Sequence, residues 1–353
     1  MKNNKSPEEK DPGGFPSHKP LPDFMRGKEV ASTPASKKHP KRAFFHDYCR
    51  PGDYLITATA LPGSPRLSEI ADLSVEDIRK GKAFPTALSA FGRIIQEEIL
   101  AIPSFHPEMG IRRFVIMPDH IHIVLNVRRR LKRMLGSELA GFFGACSKRC
   151  SVLLGLEEIR TLFGRFHDRV IMDSQQLDRC VRYVEDNPRR YMLRKKLPDL
   201  FRRYLHLSIA NREYAAFGNI FLLKGIYLLP VRIHRRWSDA EFSDYRKKCL
   251  MEFQKGAIPV TPAIHKAEKE IVQDAIDIGN CIILIRDQGF EDRFKPQGKY
   301  FDLCADGRLL LLAPWPDNVG RKSSSGYSEF HQMNEMAQTI ATLDPDVRTS
   351  VFI

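Results

Sequence analysis

Hydrophobic and polar positions change their period several times along this chain, and each change marks an element. The run DYLITATAL, residues 53–61, follows the turn-like RPGD and is rich in β-favouring residues, which predicts a first strand. In PTALSAFGRIIQEEIL, Leu88, Phe91, Ile95 and Ile99 recur at three- and four-residue intervals and describe one face of a helix. Two further β-like runs, IRRFVIM (111–117) and HIHIVLNV (120–127), meet at Pro118-Asp119, which fits either a bulge in one strand or a tight turn between two. Helical spacing resumes from Lys132 to Leu154, with Met134, Leu135, Leu139, Phe142, Phe143 and Cys146 on one side. A short extended piece, GRFHDRVIM (164–172), precedes DSQQLDRCVRYVEDNPRRYM. That stretch reads as a helix capped by Asp173 or Ser174, with Leu177, Cys180, Val181 and Val184 as its apolar face and Pro188 ending it at or near Asn187.

Strand, helix, strand, strand, helix, strand, helix is an α+β order, and it predicts a mostly antiparallel, ferredoxin-like sheet with helices on one face. After about residue 205 the texture changes. GAIPVTP (256–262), AIHKAEKEIVQDAIDIG (263–279), NCIILIRDQG (280–289) and GRLLLLAPW (307–315) alternate strand and helix, and the strands are near-continuous apolar runs of the kind buried on both faces. A second, α/β unit with a partly parallel sheet is expected there. It loosely resembles a Rossmann-like half of the sort found in proteins that handle single-stranded DNA, although it lacks a G-x-G-x-x-G loop, and a DNA-binding or regulatory role is expected of it. The resulting division is a mobile basic arm over residues 1–44, a first domain over 45–205 and an accessory α/β domain over 206–353.

Composition narrows the partner. A formal net charge of +13 and a pI near 9.4 favour an anionic one, nucleic acid first. No apolar run reaches the roughly 18 residues that span a bilayer, and the N-terminus has no apolar signal core, so a cytoplasmic, nucleoid-associated protein without a membrane partner is expected. Seven scattered cysteines with no C-x-x-C pair are expected to be reduced and mostly buried.

Candidate chemistry begins with His120 and His122. Two apart on a strand, their rings share one side while Ile121 and Ile123 turn to the other, a geometry that suits two ligands of one metal and equally suits an exposed sheet face. In the next helix Tyr183 and Asn187 lie one turn apart, so a hydroxyl and an amide share a face. His265, Glu268 and Lys299 are further polar candidates in the second half, each read as a surface charge.

VIMPDHIHIVL, FHDRVIM and VRYVEDNP, in that order and spacing over about residues 46–200, resemble the single-tyrosine HUH transposases, in particular the REP-associated tyrosine transposases. The resemblance implies an HUH endonuclease core in which His120, His122 and Asn187 hold Mg2+ or Mn2+ and Tyr183 is the nucleophile. Mixed nitrogen and oxygen ligands suit manganese somewhat better than magnesium. It further implies single-stranded DNA cleavage and strand transfer beside hairpins through a 5'-phosphotyrosine, in some relatives across a homodimer and in others within one chain. His167 and Asp168 are candidates to assist. Arg128, Arg129, Arg130, Lys132 and Arg133 after the HUH strand, and Arg189, Arg190, Arg194, Lys195 and Lys196 after the tyrosine, are candidates to contact DNA. A non-catalytic DNA-binding regulator on the same fold and a water-using metal phosphodiesterase are the competing readings.

Overall fold

The computed structural model describes residues 46–80, 86–234, 236–292, 294–317 and 327–348. The basic arm expected over 1–44 lies outside them. Strand β1 (Gly52–Thr59) is followed by the short strand β2 (Ser68–Ile70), helix α1 (Val75–Arg79), the short strand β3 (Thr86–Leu88) and helix α2 (Ala90–Phe105). Leu88 therefore belongs to a strand rather than to the helix expected there, because Ser89 caps α2 by accepting from the Gly92 amide. Then come β4 (Met109–Ile116), β5 (His120–Val127), α3 (Leu135–Leu153), β6 (His167–Ile171) and α4 (Ser174–Lys196). Met134 stands just before α3 and is exposed.

β4, β5, β1 and β6 form an antiparallel sheet in the order β4-β5-β1-β6. Pro118-Asp119 is thus a tight turn in a hairpin, since β4 and β5 pair antiparallel on either side of it. Alternation along the strands divides the side chains between two layers. Tyr54, Ile56, Ala58, Ile121, Ile123 and Leu125 pack with Ile95 and Ile99 of α2 and Leu139 and Phe142 of α3. Leu55, Val115 and Val124 point the other way, onto Leu177, Cys180, Val181 and Val184 of α4. Helices therefore lie on both faces rather than on one as expected: α4 has its own apolar stripe and covers the second face.

Pro188 does not end α4, which runs on to Lys196. An internal proline costs a helix roughly 3 kcal/mol or more through the lost hydrogen bond and the ring clash. Burial of the following turns offsets that cost: Met192 and Leu193 sit in an apolar cluster with Ile78, Phe301 and Ala305. Asp173, one of the two expected caps, accepts from the Gln176 amide at 2.7 Å.

The second half contains β7 (Arg203–Ile209), β8 (Arg212–Gly218), β9 (Leu228–Pro230), α5 (Asp239–Gln254), β10 (Ile258–Thr261), α6 (Lys266–Ile278), β11 (Ile282–Ile285), α7 (Lys299–Ala305), β12 (Leu309–Ala313), α8 (Tyr327–Thr342) and α9 (Pro345–Arg348). Its sheet runs β7-β8-β12-β11-β10-β9, with β9 to β12 parallel and the β7–β8 pair antiparallel at one edge. Every residue of β11 and β12 is buried, as their apolar runs predict. Helices α5, α6 and α7 cover one face and α8 the other. The parallel strands succeed one another in chain order, whereas a Rossmann sheet reverses its order at a switch point; the likeness extends only to parallel strands flanked by helices. The described residues cluster as one compact unit. No described helix is long and apolar enough to cross a membrane. The seven cysteines are unpaired, five of them buried.

Candidate active site

Strand register sets the first part of the site. Thr57 of β1 lies between His122 of β5 and His167 of β6, so all three side chains emerge on the face that α4 covers. His122 is buried, and its Nδ1 sits 2.8 Å from the Thr57 hydroxyl. His120, nearer the hairpin turn, has its Nδ1 2.7 Å from Asp119 Oδ1. The two rings stand edge to face with centroids 4.9 Å apart. With both Nδ1 atoms engaged, both Nε2 atoms are the ends left to face a ligand. Metal-binding histidines are commonly oriented in this way, by a carboxylate or hydroxyl on the far nitrogen.

Electrostatics agree with that picture. Burial, then the neighbouring charges of His120 and Lys295, push the His122 pKa down to about 3, so its imidazole is neutral at physiological pH. The hydrogen bond with His120 holds the Asp119 carboxyl below its ordinary value against the opposing effect of burial.

Helix α4 brings the second part. Val181 and Val184 anchor it on the sheet, which presents Tyr183 to His122 with ring centroids 5.3 Å apart. One turn on, Asn187 is buried, and its Nδ2 donates to the Tyr183 carbonyl at 3.0 Å, leaving the amide oxygen as its acceptor end. Arg190 continues the stripe, its guanidinium 5.8 Å from the Tyr183 ring centre and 4.4 Å from that of Phe301. Arg194 follows and is half-buried.

The structure separates the other candidates. His167 shares the His122 face but stands two strands away, on the order of 10 Å at the usual strand spacing. Asp168 pairs with Ile56 and so faces the α2–α3 layer; neighbours on a strand point to opposite sides, and it therefore stands away from the histidines. The cluster Arg128, Arg129, Arg130, Lys132 and Arg133 follows the far end of β5. Arg128 stands six residues along from His122, roughly 20 Å at the rise of a strand, so this cluster flanks the site in sequence but not in space. Arg130 pairs with Asp47 and Arg133 with Glu138.

The second cluster is also divided. Arg190 and Arg194 lie on the tyrosine stripe, Arg190 paired with Asp186, while Arg189 bridges Asp186 and Asp302, Lys196 pairs with Asp72, and Lys195 is exposed. Glu268 is not a surface charge: it is buried and accepts from the amides of Ile233, Ile264 and His265, completing a capping box in which His265 caps α6. Lys299 donates to Gln273. Among the described residues no group of three or more His, Cys, Asp and Glu is placed to hold a metal, so a site at the two histidines needs Asn187 or a non-protein ligand to complete it.

Three participants escaped the sequence reading. Asp119 was legible beside His120 in the PDH turn. Thr57 becomes visible only once the β1–β5 register is known, and nothing local marks Lys295.

No family model matches this chain, and no curated protein matches it in sequence. Among solved structures, one described as a REP-associated tyrosine transposase bound to a REP hairpin is similar over 42% of this chain and 74% of that one, with 14% identity and a TM-score of 0.28.

Proposed function

We propose that this chain is a metal-dependent single-stranded DNA endonuclease and strand transferase, acting at hairpin-flanked sites through a 5'-phosphotyrosine intermediate on an HUH core. The observation that carries the reading is the placement of Tyr183 against His122, in a pair of histidines whose Nδ1 atoms are both held by other side chains. His120, His122 and Asn187 would hold Mg2+ or Mn2+, which when bound supplies Lewis-acid stabilisation of charge on the scissile phosphate.

The chain's own residues perform the transfer. The Tyr183 oxygen bonds to phosphorus as the bond to the 3'-oxygen breaks; the phenol proton departs and the 3'-oxygen takes up a proton. Covalent linkage conserves the phosphodiester, so attack by a 3'-hydroxyl on the phosphotyrosine rejoins strands without ATP. Arg190, beside the ring, favours charge developing on the phenol oxygen. In this reading Tyr183 serves the histidine pair of its own chain, against which its ring packs.

The test incubates the protein with Mn2+ and labelled single-stranded hairpin oligonucleotides from repeats flanking its own gene, followed by denaturing gels. A metal-dependent protein–DNA adduct that disappears in Tyr183→Phe and His120→Ala supports the reading. Cleavage without an adduct, unaffected by Tyr183→Phe, replaces it with hydrolysis; binding without cleavage replaces it with a regulator.

A further inference from the structure

The loop between β11 and α7 leaves the C-terminal end of a parallel strand, the end at which open α/β sheets usually receive ligands. It is anchored from inside. The Arg286 guanidinium lies 4.8 Å from the ring centre of Phe290 and 4.7 Å from that of Phe294, and Phe294 meets Phe217 edge-on at 5.1 Å. Arg203 donates to the Phe290 carbonyl and to Asp292, each at 3.0 Å. These contacts hold Phe294 against β8 and tie the loop to β7.

Between the loop and α4 lies a cavity of about 350 Å³ lined by Arg194, Phe201, Phe217, Asp292, Phe294 and Lys295. Its walls combine aromatic faces with two cations and one carboxylate. The two cations come from different halves of the chain, and Arg194 stands seven residues beyond Asn187 on the same stripe of α4, roughly 10 Å along the helix axis from it. The volume falls in the usual range for small-molecule sites, roughly 300–1,000 Å³, and accommodates one nucleotide.

We infer that this cavity is a subsite for one unstacked nucleotide of the strand bound at the candidate active site, its base against Phe294 and its phosphate between Arg194 and Lys295. Phenylalanine faces accept any base by stacking, and paired cations track the backbone, the two elements from which single-strand sites are generally built. The second half of the chain would then complete the substrate groove rather than form a separate module. This inference rests on single-stranded DNA being the substrate.

The test measures fluorescence anisotropy of a labelled single-stranded dodecamer with the full-length protein and with Phe294→Leu, which keeps an apolar side chain but removes the aromatic face, and Lys295→Gln, which removes the charge. The same samples are assayed for the covalent adduct. Each variant is expected to weaken dodecamer binding about tenfold, with Lys295→Gln also flattening the salt dependence. Unchanged dodecamer affinity in both variants overturns the subsite even where wild-type protein forms the adduct. Weakened affinity without any wild-type adduct supports the subsite while the strand-transfer reading fails. Competition by a free deoxynucleoside monophosphate that is lost in both variants, with dodecamer affinity unchanged, overturns it in favour of a free-nucleotide site.

Discussion

The ring of Tyr183 stands edge-on to that of His122, 5.3 Å between centroids, although one lies on a helix and the other on the strand beneath it. Tyr183 is 37% exposed, so its hydroxyl contributes little to packing. Tyr183→Phe is therefore expected to abolish the covalent adduct while changing stability by no more than about 0.5 kcal/mol. Adduct formation and thermal melting, measured on the same preparation, check both parts.

Thr57 and Asp119 orient the two imidazoles through their Nδ1 atoms. Thr57→Val and Asp119→Asn are each expected to weaken Mn2+ binding about 10–100-fold without unfolding the protein. Calorimetric titration with Mn2+ reads this directly, and unchanged affinity in both variants argues against a metal at the histidines.

Glu138 provides a pH test far from the chemistry. Burial opposes its ionisation, but hydrogen bonds from the Arg133 side chain and amide, with the nearby charges of Arg133 and His106, hold its carboxyl below the ordinary value. A carboxylate with a lowered folded pKa contributes stability above its unfolded pKa, about 4.3, and loses that contribution as the pH falls through the folded value. Glu138→Gln should therefore cost on the order of 1–2 kcal/mol at pH 7. The gap from wild type should close towards pH 3. Denaturant midpoints across that window test the sign.

Phe301 of α7 is 1% exposed and packs with Met192 and Leu193 of α4, while its ring lies under Arg190. Phe301→Ala is expected to destabilise by about 3–5 kcal/mol and to loosen α4 beyond Pro188. Hydrogen exchange should show lost protection over residues 189–196 with less change over 174–184, which rest on the first sheet.

Arg128 and Arg129 are separated from His122 by most of a strand. Replacing both by alanine is expected to leave cleavage of a short oligonucleotide spanning only the scissile site within about twofold of wild type, because phosphate contacts act locally. Arg190→Ala on the same substrate is expected to slow it at least about tenfold. Single-turnover cleavage rates make the comparison.

Local pattern by itself determined most elements, because period-two and period-3.6 spacing record which side of a strand or helix meets apolar neighbours. It placed His120 and His122 opposite Ile121 and Ile123, put Tyr183 and Asn187 on one helical face, and marked the buried strands β11 and β12. Tertiary structure decided what depends on partners distant in sequence. Pro188 lies inside α4 because Phe301 and Ala305 bury the turns beyond it, a gain invisible in the helix's own residues. Strand register brought Thr57 to His122, α4 took the second face of the sheet, and β5 carried Arg128 away from the histidines it follows. A loop from the other half of the chain brought Lys295 to the cavity that Arg194 of α4 also lines. Adjacency in sequence constrains distance only within a turn of helix or a few residues of strand; beyond that, burial and packing choose the neighbours.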